Sequence, residues 1–510
     1  MLRRTRRLRD MHIIDLILDR PFVWGLFVFY LVGTSYLAWL GHKRTTDIKS
    51  FALGDGKMNP GIVGLTLAAS IASTATFVIN PGLVYAFGVS AFLHYGLAVV
   101  LGVITALVLL SIGFRRVGAK SGALTLPQWI GQRYNSKALS VFFAMASLLS
   151  LTFVVLILGG VSIVMQKVLG LGNTECLVIV TVFVFGYIFV GGTYAHAYTN
   201  TMQAMIMIVV ALIIIISGLH SFSDGIGPFL DRIRAVDPNL AMATNVSNSF
   251  FDSAFKVYVA GFIVGFAVVC QPHILSKALY VKDDRDVKRY LGITIAVTII
   301  FTGLLLVGLY MRAGNFPQDL KYDTVMAVYI ADTFSGPLLA FISVALVAAG
   351  MSTLDGILVA LSSIAANDLF LGLTEDNLLK GKSEQQKAAL AHRASQIILV
   401  AMGAIAFAIA MRPPELLGFF GQLGVYGLVA ASTPPVLFGV LMTGAGRQIP
   451  KHWMLFASVS AMGVHFLLYI WGDVSNPAVS ASYGVMVGIA IILVQCTKIL
   501  LTKSQHVPRL

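Results

Sequence analysis

The sequence predicts an all-α protein that crosses a membrane many times, and three observations carry that prediction. Of 510 residues, 57% are hydrophobic and 12% charged, too little polar surface for a soluble chain of this length. Apolar stretches of about 18 residues or more recur along nearly the whole chain, each long enough to cross a ~30 Å hydrocarbon core. The basic residues lie between these stretches rather than in one patch, so the net charge of +13 reflects membrane topology and not nucleic-acid binding.

Thirteen spans follow in order: 22–41, 60–83, 91–114, 138–167, 174–190, 197–219, 257–274, 291–312, 337–366, 389–411, 415–442, 452–471 and 479–500. With span-end residues assigned to the nearer connection, the connections after odd-numbered spans and the C-terminus hold 23 Lys and Arg. The N-terminal tail and the connections after even-numbered spans hold 13. The positive-inside bias then places the C-terminus and the loop "HKRTTDIKS" in the cytoplasm and the N-terminus outside. The tail "MLRRTRRLRD" goes against that bias, and a translation start at Met11 would remove the conflict. No small-residue cleavage site precedes a short apolar core, so a cleaved signal peptide fits poorly.

The longest polar connections are 220–256, on the expected outer side, and 367–388, on the expected cytoplasmic side. No soluble domain and no G-x-x-x-x-G-K-[ST] phosphate loop interrupts the chain. Cys176, Cys270 and Cys496 give neither a disulfide framework nor metal-ligand spacing. No His/Glu metal set or Ser/His/Asp constellation falls within the spans, which argues against an enzyme.

Two spans carry unusual chemistry. Span 2, "GIVGLTLAASIASTATFVINPG", holds Ser70, Ser73, Thr74 and Thr76 ahead of Asn80, Pro81 and Gly82. Short polar residues bond the local backbone and weaken a helix. Unwound carbonyls in a membrane are tolerated only where they line a site or cavity; the alternative is a small-residue packing face. Span 9, "LVAAGMSTLDGILVALSSIAAND", places Ala349, Ser352, Thr353 and Gly356 in one sector of the helical wheel, with Asp355 at its edge. That face offers oxygens suited to a hard cation such as Na⁺, provided a second helix supplies more. The alternative is hydroxyls bonded within their own helix. A carboxylate at this depth costs roughly 2.5–3.5 kcal/mol on insertion scales.

With these stretches the chain resembles the sodium/solute symporter family, which includes sodium-coupled glucose, proline, pantothenate and sialic acid transporters. The likeness covers nearly the whole chain through "LAASIASTATFVINPGLVYAFG" (67–88), "LPQWIGQRYNS" (126–136), Gly191-Gly192 ahead of "YTNTMQ" (198–203), "QPHILSKALYVKD" (271–283) and "AAGMSTLDGILVALSSIAAND" (348–368). The resemblance implies a LeuT-like core of two inverted five-helix repeats, 60–219 and 257–442. Residues 1–59 precede it as tail, first helix and cytoplasmic loop, 220–256 form an extracytoplasmic loop, and 443–510 carry two further helices and the tail. It also implies a Na⁺ site made by the carbonyls of Ala69, Ala72 and Ala349 and the hydroxyls of Ser352 and Thr353.

Two departures from the family pattern stand out. Many relatives carry "YTDxxQ", with an aspartate where this chain has Asn200, and those using a second sodium have a serine in place of Asp355. The pair looks exchanged here, so Asp355 and Asn200 are candidates for a second ion, a proton or a cationic part of the substrate, against an ordinary buried carboxylate bonded to Asn200. At Ile71 some proline-transporting relatives carry an acid, so proline specificity does not follow.

Substrate-contact candidates are Ser73, Thr74 and Thr76 on span 2 and Gln422 on span 11, with Phe419, Phe420 and Tyr426 as gates or stacking surfaces, or simply core. His94 is expected in an interfacial hydrogen bond, and Lys277 with "YVKDDRDVKRY" in a solvated cytoplasmic turn. No midplane Lys or Arg is evident to neutralise a strongly anionic cargo.

The whole reading is a secondary active transporter in a bacterial inner membrane. It couples inward Na⁺ flow to uptake of a small organic solute (a carboxylate, amino acid or sugar) by alternating access. Sodium is the co-transported ion; neither nucleic acid nor an obligate protein partner is implied. The alternatives are a transporter-derived solute sensor and a proton-coupled symporter.

Overall fold

Helix stop signals and apolar runs divide the chain into the expected elements. The structure is a computed structural model that describes residues 17–18, 20–45, 48–374, 379–414, 417–442 and 449–504; the arginine-rich tail and Met11 lie outside them. The described residues are helical with no strands. Among the described residues, ten helices are long and apolar enough to span a membrane: α1 (Pro21–His42), α4 (Val89–Ser121), α5 (Lys137–Leu169), α7 (Gly192–Ser217), α10 (Asp284–Ala313), α11 (Gly336–Thr374), α12 (Gln385–Ala410), α13 (Leu417–Leu441), α14 (Lys451–Trp471) and α15 (Pro477–Thr497). Two bent pairs, α2 (Pro60–Ile71) with α3 (Ala75–Phe87) and α8 (Phe255–Val268) with α9 (Pro272–Tyr280), occupy spans 2 and 7, and the shorter apolar helix α6 (Asn173–Ile188) occupies span 5. Each of the thirteen expected positions therefore holds an apolar helix or a bent pair.

Local chemistry explains the boundaries. Asn59 caps α2 by accepting the Gly61 N–H at 2.7 Å, with Pro60 at the first helical position. At the far end Ala72 leaves the helix (φ −85°, ψ 79°), and the chain resumes in a π-helical turn, Ala75–Ile79, bent by 54°. Ser73 Oγ accepts the Ala75 N–H at 3.1 Å, so a side chain takes over where the ladder is interrupted. The second break, at 61°, ends at Pro272, which cannot continue the helix it follows. Between α6 and α7 the turn is made by Gly192, whose φ of 59° and ψ of −155° suit a residue without Cβ; an added Cβ would meet the Phe51 ring.

Central position follows burial. In α11 and α13, 78% and 89% of the most apolar stretch is buried, against 22% in α1, which faces outward. α11 packs against α7, α5, α2 and α1. The connections sort into two ends. After spans 2, 6 and 8, Asn245 Nδ2 donates to the Phe87 carbonyl at 3.3 Å and the Tyr85 hydroxyl to Pro317 O at 2.8 Å. After spans 1, 3, 5, 7 and 9, Arg115 and Arg116 pair with Asp284, the Tyr194 hydroxyl reaches Gly54 O at 3.1 Å, and Thr125 Oγ1 donates to Asp368 at 2.6 Å. Alternating crossings require such a sorting.

Candidate functional site

The break in α2 sets its last carbonyls against the hydroxyl face of α11. Ser352 Oγ lies 3.0 Å from Ala69 O and 2.9 Å from Ala349 O. Thr353 Oγ1 lies 3.3 Å from Ala69 O and 3.2 Å from Ser70 O. Ala69, Ser352 and Thr353 are fully buried. Of the residues expected to hold sodium, Ala69, Ala349, Ser352 and Thr353 thus meet in one cluster of oxygens, while Ala72 stands at the break itself and donates its N–H to Ala68 O at 2.9 Å. Ser70 O joins the cluster, an oxygen the sequence reading did not single out.

Asp355 faces α6 and α7 and is fully buried. One carboxylate oxygen lies 2.9 Å from His196 Nδ1; the other accepts from the Tyr187 hydroxyl at 3.1 Å and has Thr199 Oγ1 at 3.2 Å. It makes no bond to Asn200, whose Nδ2 donates instead to Ser352 O at 2.8 Å and Ser70 Oγ at 3.3 Å. Asn200 and Asp355 therefore serve different neighbours: Asn200 buttresses the oxygen cluster, and Asp355 anchors α11 to α6 and α7. Lys277 on α9 corrects the expectation of a solvated turn. It is 1% exposed and donates to His273 O at 2.6 Å. His94 makes a hydrogen bond at the span end, its Nδ1 at 2.9 Å from the Lys256 carbonyl, and is buried within the protein there.

Beside the oxygen cluster, both helix breaks border a cavity of about 140 Å³, lined among others by Ala72, Ser73, Thr76, Gln271, Gln422 and Tyr426. Ser73, Thr76 and Gln422 thus line it as the sequence suggested for substrate contacts. Thr74 turns away, its side chain toward Gly160 and Gly350. Phe419 is core, stacked on Phe250 at 4.8 Å. Missed by sequence reading were Tyr187, His196 and Thr199 around the carboxylate and Gln271 in the cavity. The spacing of His196, Thr199, Asn200 and Gln203 on one helical face was the available signal.

An oxygen cluster at a broken helix, beside a cavity in a helical membrane protein, is the arrangement of an ion-coupled transporter. The chain belongs to the sodium:solute symporter family, which it matches over residues 51–448. It is 26% identical over 453 residues to the sodium/pantothenate symporter of Haemophilus influenzae, covering 87% of this chain and 89% of that one. It is 27% identical over 435 residues to the sodium/proline symporter of Staphylococcus aureus, covering 82% and 81%. Among solved structures, a Na⁺-coupled sialic acid symporter in a substrate-bound, outward-open state superimposes with a TM-score of 0.74 at 14% identity, covering 92% of this chain and 96% of that one. The fold is that of LeuT-like transporters, and the protein is an integral membrane symporter rather than an enzyme.

Proposed function

We propose that this protein drives uptake of a small organic solute (a carboxylate, amino acid or sugar) with inward sodium flow by alternating access, in a bacterial inner membrane. The observation that carries this is the set of oxygens shared by α2 and α11. Carbonyls of Ala69, Ala72 and Ala349 and hydroxyls of Ser352 and Thr353 would hold Na⁺. Oxygen–oxygen separations of 2.9–3.3 Å leave these groups close enough to share one hard cation, whose bonds to oxygen run about 2.0–2.6 Å. When an ion enters, each hydroxyl turns its proton away from the carbonyl it now meets and presents a lone pair.

Coupling follows from the position of these oxygens. α2 belongs to the first proposed repeat (60–219) and α11 to the second (257–442), so an ion bound to both holds the halves in one relation. Sodium that prefers this conformation raises the population able to take solute; equal affinity for both conformations would shift nothing. One charge crossing about 100 mV supplies about 2.3 kcal/mol before any concentration gradient acts. The basic bias of the connections supports a cytoplasmic C-terminus and an outer N-terminus.

Reconstitution into liposomes tests the reading. An imposed inward sodium gradient should drive solute accumulation, and Ser352→Ala or Thr353→Ala should raise the sodium concentration for half-maximal uptake at least roughly tenfold. Accumulation driven by a proton gradient alone, or binding without flux, would refute it.

A further inference from the structure

The lining of the cavity has a polarity of its own. No Lys, Arg, His, Asp or Glu is among its lining residues. Its polar groups are hydroxyls and amides, and four of them leave a buried oxygen without a hydrogen bond: Asn80 Oδ1, Gln271 Oε1, Gln422 Oε1 and Thr298 Oγ1. Gln271 is 3% exposed and Gln422 5%. The orientation of Gln271 is fixed by its partner. Its Nε2 donates to the Val268 carbonyl at 3.0 Å; a carbonyl accepts only from N–H, so the amide cannot be flipped and its oxygen is the free group. A buried acceptor left unpaired is costly, so the fixed Gln271 oxygen is built to be completed by something that donates.

We propose that the solute is recognised through hydroxyl or amide N–H donors clustered on one face, beside an apolar portion, and not through an ion pair with the protein; this deepens and rests on the symporter reading above. Gln271 accepts from the donor face through its fixed oxygen, and the Gln422 and Asn80 amides can turn either oxygen or N–H toward it. The apolar portion lies against Phe153, Phe301 and Tyr426, which line the same cavity. An ammonium group would also donate, but the cavity offers no carboxylate, and sodium in the neighbouring oxygen cluster would add like-charge repulsion to the cost of burying it. A carboxylate set against these oxygens would be repelled, so any acid on the solute must point toward the ion or a helix N-terminus.

The test is thermal stabilisation of the purified full-length chain in detergent, first with sodium alone, then with sodium plus single solutes. The donor-bearing, uncharged probes are D-panthenol, D-glucose and myo-inositol; the contrasting probes are acetate, glycine betaine and L-proline. At least one of the first group should stabilise the protein in a sodium-dependent way and the second group should not. Gln271→Leu should weaken the responding probe at least roughly tenfold. A response confined to the contrasting group, no response to any donor-bearing probe, or unchanged affinity in Gln271→Leu overturns the proposal. Should sodium alone give no stabilisation and Ser352→Ala no difference, the symporter reading has failed; sodium stabilisation without the solute pattern defeats this proposal alone.

Discussion

His196 and Asp355 show what a single buried contact asks of the chain. The carboxylate is fully enclosed, and His196, Tyr187 and Thr199 share the work of satisfying it. His196→Ala removes one hydrogen-bond partner from a buried carboxyl group that cannot reach water, and should cost about 1–3 kcal/mol of stability. Asp355→Asn in the same background should recover part of that loss, because the carboxyl group left short of a partner is then gone. Additive melting shifts in the single and double variants would show that the two residues are not coupled. At this scale the sequence disclosed part of the site. Ser352, Thr353 and Asp355 were legible because polar groups in an apolar run are expensive. Tyr187 and His196 were not, since a helix-borne carboxylate says nothing about which neighbouring helix answers it. Lys277 misled: the charged "YVKDD" beside it suggested solvent, while the turn before it packs inward against α11.

Among the elements, the breaks and the segment covering them matter most. The serines and threonines of span 2 foretold the first break, whereas the second depends on Pro272 within a stretch that otherwise reads as continuous. After span 8, the 3₁₀ turn Tyr322–Thr324 packs on the π-helical turn that opens α3. Arg312 straps it by donating to Tyr85 O at 2.6 Å and Gln318 O at 3.0 Å. Gly82 permits this close approach, since a Cβ there would run into the Tyr322 carbonyl. Gly82→Ala should therefore loosen the segment at a cost of about 1–3 kcal/mol, visible as faster hydrogen exchange across residues 314–324; unchanged exchange would contradict the packing described.

The same segment carries a pH dependence. Burial holds the Asp323 carboxyl above the ordinary carboxylate range, and its Oδ1 has no partner. A raised acid binds its proton more tightly in the packed state than in the unpacked one, so packing is strongest below the ordinary aspartate value and weakens as pH rises through the elevated one. Exchange across 314–324, corrected for its intrinsic pH dependence, should rise over that window in the native chain and stay flat in Asp323→Asn. An identical profile in both would dismiss Asp323 as the cause.

For the molecule as a whole, the apolar segments and the sodium-coupled family were readable from composition, spacing and motifs. Apolar run length is a local property, and so survives in one dimension. The cavity lining is not local: Asn80, Gln271, Thr298 and Gln422 come from four different spans. The central claim is that one ion ties α2 to α11. Binding of radiolabelled sodium to the purified protein, native against the Ser352→Ala, Thr353→Ala double variant, tests it most directly. Saturable binding in the native chain that falls at least roughly tenfold in the double variant, with melting behaviour otherwise preserved, is the predicted result. Equal binding by both proteins would place the ion elsewhere and contradict the account.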